Sequence, residues 1–193
     1  MRILVTNDDG LHAEGIQRLC ETLHPIAELV VVVPDRQRSG SSHSVTELEP
    51  LRLTETSFLD GAKAHISNGT PADCVALAVS EFGEEGIDLA VSGINHGWNV
   101  GVDISYSGTV MAAAEASLLS LPALAISVEG KEKEPTRFAT AAWFAKSLVE
   151  KAIHQSLPRG TFLNINLPSL PKAAIKGVRI TSLSLSTLPR FRG

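Results

Sequence analysis

A Rossmann-like α/β fold, doubly wound on a mostly parallel sheet with an inserted hairpin or loop region, is what this sequence predicts. Three observations lead there. At 193 residues the chain suits one α/β domain with a sizeable core and is too short for two full ones. Short β-rich runs alternate with helical patterns, the rhythm of a parallel sheet joined by crossover helices. The runs are nearly continuous in Val, Ile and Leu, as strands covered on both faces require.

The elements follow in order. Residues 2–6 (RILVT) read as the first strand and 13–24 as the first helix, with the second strand at 28–33 (ELVVVV). The stretch 35–68 breaks the rhythm: a polar loop, DRQRSGSSHS, runs into 45–54 and 62–67 without helical period. It reads as an inserted hairpin or loop beside the sheet's carboxyl edge, and long loops in compact domains usually carry binding groups. A helix is expected over 71–82, with Pro71 in its first turn, Thr70 as N-cap and Asp73 just inside. Strands at 88–92, 122–128 and 161–166 alternate with helices at 108–120 and 136–156, and GKEKEP at 130–135 reads as a solvated loop.

Composition excludes several classes. Hydrophobic residues at 44% and charged residues at 20% belong to a globular chain rather than a disordered one. A net charge of −4 argues against a nucleic-acid binder with a broad basic surface. It leaves a small anionic substrate open, because a bound metal inverts the sign of a site. Cys20 and Cys74 sit in apolar helical patterns and read as buried free thiols of a reducing compartment. The start MRILVTND is no signal peptide and no run is long enough to span a membrane, so a cytoplasmic protein is expected.

Three loops carry chemistry. Asn7-Asp8-Asp9-Gly10 follows the first strand directly, where open α/β sheets bind ligands. Two adjacent carboxylates there repel each other unless a cation holds them, and oxygen ligands favour Mg²⁺, Mn²⁺ or Ca²⁺ over zinc. The alternative is an Asx-type turn capping the next helix. Ser92-Gly93-Ile94-Asn95-His96-Gly97-Trp98-Asn99-Val100-Gly101 follows another buried strand. Asn95 and Asn99 offer carbonyl oxygens to a hard cation or amide donors to phosphate; a plain glycine-rich loop is the alternative. Ser107, Gly108 and Thr109 open a small-residue helix, whose N-terminus suits an anion if Ser107 is more than an N-cap. Together the three suggest metal-assisted attack on a phosphoryl group.

NDDG, the SGSSHSVT loop, NGTPADCV at 68–75, SGINxGxNxG at 92–101 and YSGTVxAAxEA at 106–116 occur in an order that resembles the SurE stationary-phase survival family. The resemblance runs from Met1 to about residue 181. It implies a 5′(3′)-nucleotidase that is cytoplasmic, forms homodimers or homotetramers and releases phosphate from nucleoside monophosphates, with short polyphosphate as a further substrate. It implies Mg²⁺ or Mn²⁺ held by Asp8, Asp9, Ser39 and Asn95, with Asp8 and Asp9 also the candidate catalytic residues. Asn95, Asn99, Ser107, Gly108 and Thr109 are then the candidate phosphate contacts. Attack by a cation-activated water is favoured over attack by Asp8 or Asp9, because carboxylates committed to a cation are poor nucleophiles. His43 is a candidate general acid, though a lone loop histidine is more often a bystander. Trp98, at a variable position of the motif, is more simply loop packing than a base stack. The closing SLSLSTLPRFRG departs from the family's continuation, so one domain over 1–193 is expected with the exchanged C-terminal arm missing or altered. Two rivals stay open: a non-catalytic nucleotide- or metal-binding regulator, and a glycosyl-bond hydrolase of the nucleoside-hydrolase kind. Neither a stable nucleic-acid complex nor a membrane partner is expected.

Overall fold

The computed structural model describes residues 1–59, 61–130, 137–152 and 157–184. The loop expected at 130–135, apart from its first residue, and the ends of the helix expected over 136–156 lie outside them, as do residues 185–193 of the closing segment.

The apolar runs become the interior of a seven-stranded sheet. Its strands are β1 (Arg2–Thr6), β2 (Glu28–Pro34), β3 (Leu53–Phe58), β4 (Ala62–Ser67), β5 (Leu89–His96), β6 (Ala123–Val128) and β7 (Phe162–Leu167). The order across the sheet is β3-β4-β2-β1-β5-β6-β7, and every pair is parallel except β3 with β4 at one edge. The helices are α1 (Glu14–Leu23), α2 (Pro71–Phe82), α3 (Gly108–Leu118) and α4 (Arg137–Ala152).

Alternation along β1 sorts the two faces of the core. Ile3 and Val5 pack with Ile16, Leu19 and Leu23 of α1 and Ala141 and Ala145 of α4. Leu4 points the other way, onto Val75 and Ala78 of α2 and Val110 and Ala113 of α3. Cys20 and Cys74 are free and buried, one on each face, and burial pushes the Cys20 thiol up to about 12. Among the described residues no helix is long and apolar enough to cross a membrane.

The insertion divides in two. Its second half is a hairpin that joins the sheet, with β4 parallel to β2 in the register Val31↔Ala64. Its first half, residues 35–52, stays outside the strands and emerges from the carboxyl end of β2. The helix start at α2 forms as its residues dictate: Thr70 caps Asp73 N–H, and the Asp73 carboxylate accepts from Thr70 N–H.

β1 and β5 are neighbours, yet α1 leaves β1 for one face and α3 precedes β6 on the other. A crevice therefore opens at their carboxyl ends, the place where such sheets bind ligands. β5 also runs further than its apolar run suggests, through an irregularity between Ser92 and Asn95. Gly93 makes that possible: its φ is +135°, and a Cβ there would lie 2.4 Å from the Ile126 carbonyl oxygen.

Candidate active site

The NDDG turn is held by its first residue. Asn7 Nδ2 donates to Gly10 O at 2.9 Å, and Gly10 N–H returns a bond to Asn7 Oδ1 at 3.1 Å. The N-cap of α1 is Ala13, with no side-chain cap. Asn7 thus performs the turn chemistry, and neither aspartate is needed to cap the helix. Asp8 is buried, 4% exposed, and its Oδ1 accepts from the Thr109 hydroxyl at 2.5 Å. Asp9 is half-buried and accepts from Gln37 Nε2 at 3.2 Å.

The polar loop after β2 brings up the next donor. Arg38 N–H donates to Asp8 O at 2.7 Å, while its guanidinium engages Asp35 and the Asn68 carbonyl. This places Gln37 where its amide donates to Ser39 Oγ at 2.9 Å as well as to Asp9. Beyond Ser39, Ser42 bonds to the Ser105 and Tyr106 carbonyls. His43 lies outside the cavity lining and pairs with Glu115 of α3 at 2.7 Å.

From β5, Asn95 Nδ2 donates to Gly97 O at 2.9 Å, which leaves its carbonyl oxygen as the end suited to a cation. Asn99 is clamped to the far strands: its N–H donates to Asn166 Oδ1 at 2.8 Å and its side chain to Ser127 Oγ at 2.9 Å. Its carbonyl accepts from Asn164 and Asn166. At α3, Ser107 Oγ accepts from Val110 N–H as an N-cap. Gly108 permits the close approach of this helix to the acid turn, since a Cβ there would lie 2.9 Å from Asp8 Cβ and 2.7 Å from Ser41 Oγ.

A cavity of about 680 Å³ is lined by Asp8, Asp9, Ser39, Asn95, Asn99 and Ser107, among others. Its volume lies within the range of small-molecule sites. Burial raises the Asp8 carboxyl above its ordinary range against the hydrogen bonds from Thr109. Burial raises Asp9 too, and the charge of Asp8 raises it further. Among the described residues no salt bridge engages either one. Nor do any three His, Cys, Asp or Glu side chains group for a metal among those residues. Two carboxylates, a hydroxyl and an amide carbonyl on one cavity could offer a hard, oxygen-only donor set of the kind Mg²⁺ or Mn²⁺ takes.

A model of the survival protein SurE family matches residues 3–189. The chain belongs to the SurE family. The match continues past residue 181, where the motifs read from the sequence give out. The chain is 52% identical over 186 residues to the 5′-nucleotidase SurE of Aeromonas hydrophila, covering 95% of this chain and 72% of that protein. It is 47% identical to the 5′-nucleotidase SurE of Syntrophomonas wolfei, over 96% of this chain and 70% of the relative. The crystal structure of the SurE protein from Aquifex aeolicus superposes with a TM-score of 0.84 at 40% identity, covering 95% of this chain and 73% of that one.

Within this SurE fold, Asp8, Asp9, Ser39 and Asn95 come together on one cavity from two separate loops and the end of β5. Asn99 and Ser107 join them there; Gly108 and Thr109 lie behind the lining, and the Thr109 hydroxyl is committed to Asp8. Sequence reasoning missed Gln37, which ties Asp9 to Ser39, and Thr109 as the partner of Asp8. It also missed the pair Asn164 and Asn166 that holds Asn99. Their spacing of two on a strand is the one signal that could have exposed the last.

Proposed function

We propose that this chain is a metal-dependent phosphomonoesterase that hydrolyses nucleoside 5′-monophosphates to nucleoside and phosphate. The observation that carries the reading is the acid pair, Asp8 buried and Asp9 half-buried, both raised by burial and lining one cavity with Ser39 and Asn95, with no salt bridge to either among the described residues. The names of the relatives, 5′-nucleotidase SurE, support the substrate class. Asp8, Asp9, Ser39 and Asn95 would hold Mg²⁺ or Mn²⁺, which when bound supplies neutralisation of phosphoryl charge.

The chain's own groups do the rest. Thr109 orients Asp8, and Gln37 orients Asp9 and Ser39. Ser107 and Asn99 line the same cavity and would donate to phosphate oxygens. In our reading a water oxygen bonds to phosphorus as the ester P–O bond breaks, and the nucleoside leaves as an alcohol. Attack by Asp8 or Asp9 is disfavoured by their commitment to the cation. The same phosphate end would serve 3′-monophosphates and the terminal phosphate of short polyphosphate. The assembly proposed is a homodimer or homotetramer.

Phosphate release from AMP, assayed after dialysis against EDTA and again with added Mn²⁺, tests the reading. Activity lost on chelation and restored by Mn²⁺ or Mg²⁺ is expected. Undiminished turnover in excess EDTA would overturn it.

A further inference from the structure

Aromatic residues make up only 5% of this chain. Among the described residues the strongly exposed ones are Trp98 (42%), Tyr106 (53%) and Trp143 (41%). Two of these three, Trp98 and Tyr106, line the cavity that holds the acid pair. Large apolar rings left open to solvent at a concave site mark a surface awaiting a ligand.

Trp98 is not exposed for lack of order. Its indole N–H donates to Leu167 O at 2.6 Å, and the next residue, Asn99, is clamped to β6 and β7. The ring is thus fixed by one edge and by its backbone, while nearly half of its surface remains uncovered. A side chain held rigid before the ligand arrives loses little entropy on binding. Packing, the simpler expectation for this residue, accounts for the covered part of the ring and not for the part left open at the cavity.

We infer that Trp98 is the platform on which the nucleobase of the substrate stacks, so that this chain recognises its substrates by an aromatic face as well as by phosphate. The inference rests on the nucleotidase reading of the same cavity. The phosphate lies at the acid pair, and the base reaches the Trp98 side of the cavity. Stacking tolerates any base because each has a π-face. Purines, with the larger face, are therefore favoured over pyrimidines without any hydrogen-bonded readout of identity.

The test uses the full chain and two kinds of probe. For turnover, AMP is compared with ribose 5-phosphate, which carries the ester but no base. In Trp98→Ala the ratio of kcat/KM for AMP to that for ribose 5-phosphate should fall about tenfold, within the range that truncating a base-stacking aromatic produces. Trp98→Phe, which loses the same hydrogen bond but keeps a ring, should recover most of the ratio. An unchanged ratio in Trp98→Ala, or a Trp98→Phe as impaired as Trp98→Ala, overturns the platform. For binding alone, Trp143→Phe leaves Trp98 as the single tryptophan, and Trp143 lies outside the cavity on α4. Adenosine, which has no phosphate to release, should quench its fluorescence, and ribose 5-phosphate should not. That quench supports the platform even if no phosphate is released from AMP, which would sink the nucleotidase reading alone. Its absence overturns the platform whatever the turnover.

Discussion

Asp8 and Asp9 are adjacent in sequence yet differently supported. Asp8 is buried with a dedicated hydroxyl donor, whereas Asp9 is half-buried and shares the Gln37 amide with Ser39. Two predictions follow this difference. Asp9→Asn removes a unit of charge beside the cation but keeps a carbonyl, so activity should fall at least about a hundredfold. Part of it should return at high Mn²⁺. Wild-type activity in a soluble Asp9→Asn protein would remove Asp9 from the site. Thr109→Val keeps the buried shape and deletes the donor that orients Asp8. Partners of this kind typically change metal affinity by about ten- to a hundredfold, and titration calorimetry with Mn²⁺ should read a loss of that order. An unchanged affinity would show that packing alone positions Asp8.

At the scale of elements, the capping box of α2 reaches further than its helix. Asp73 accepts from Thr70 N–H and also from the backbone N–H and hydroxyl of Thr46, so it pins the loop that follows Ser39 and His43. Burial pushes its carboxyl up, but these hydrogen bonds outweigh burial and hold it below the ordinary carboxylate range. A carboxylate lowered in the folded state adds stability that is complete above its unfolded pKa and is lost as pH falls through the folded value. Asp73→Asn should therefore cost roughly 1.5–3 kcal/mol near neutral pH, the range for hydrogen bonds to a charged group. In urea unfolding the gap from wild type should begin to narrow as pH falls through the ordinary carboxylate range, about pH 4, and close only below the lowered folded value, where both states have taken up a proton. A gap that persists at low pH would assign the loss to packing.

Legibility also differs by element. β1, β2, β5 and β6 were readable because apolar residues follow one another without interruption, the mark of strands covered on both faces. β4 was legible only as part of an inserted hairpin or loop and not as a strand within the sheet, because Lys63 and His65 interrupt its apolar residues, although Ala64 and Ser67 are fully buried. The acid pair and the asparagine loop were legible because each directly follows a buried strand. Gln37 was not, because nothing in a polar loop distinguishes a residue that ties two others together from its solvated neighbours. That distinction is made by the Arg38 backbone bond to Asp8, a contact between distant segments.

At the scale of the molecule, exposed apolar surface among the described residues gathers after β7. The segment after β7 leaves Val178, Ile180 and Leu183 exposed at 73%, 97% and 62%. A second copy covering these side chains is the expected reason, since contiguous apolar exposure usually marks an interface. Sedimentation velocity should find a dimer or tetramer at micromolar concentration, and Ile180→Asp should shift it toward monomer. A wild-type chain that stays monomeric at every concentration would leave that surface without this explanation.

The clamp on Asn99 bears on how the site comes into being. The acid pair and Ser39 belong to the first 39 residues, but Trp98 and Asn99, in the loop that follows β5, are locked by Asn164, Asn166 and the Leu167 carbonyl. A polypeptide emerging from a ribosome folds from its N-terminal end, so its early strands pair long before that lock is synthesised. The clamp on Trp98 and Asn99 can close only when β7 docks. The Trp98 and Asn99 wall of the cavity is thereby finished by a strand made long after the acid turn, and a stalled or clipped chain that lacks β7 should keep the turn without that wall.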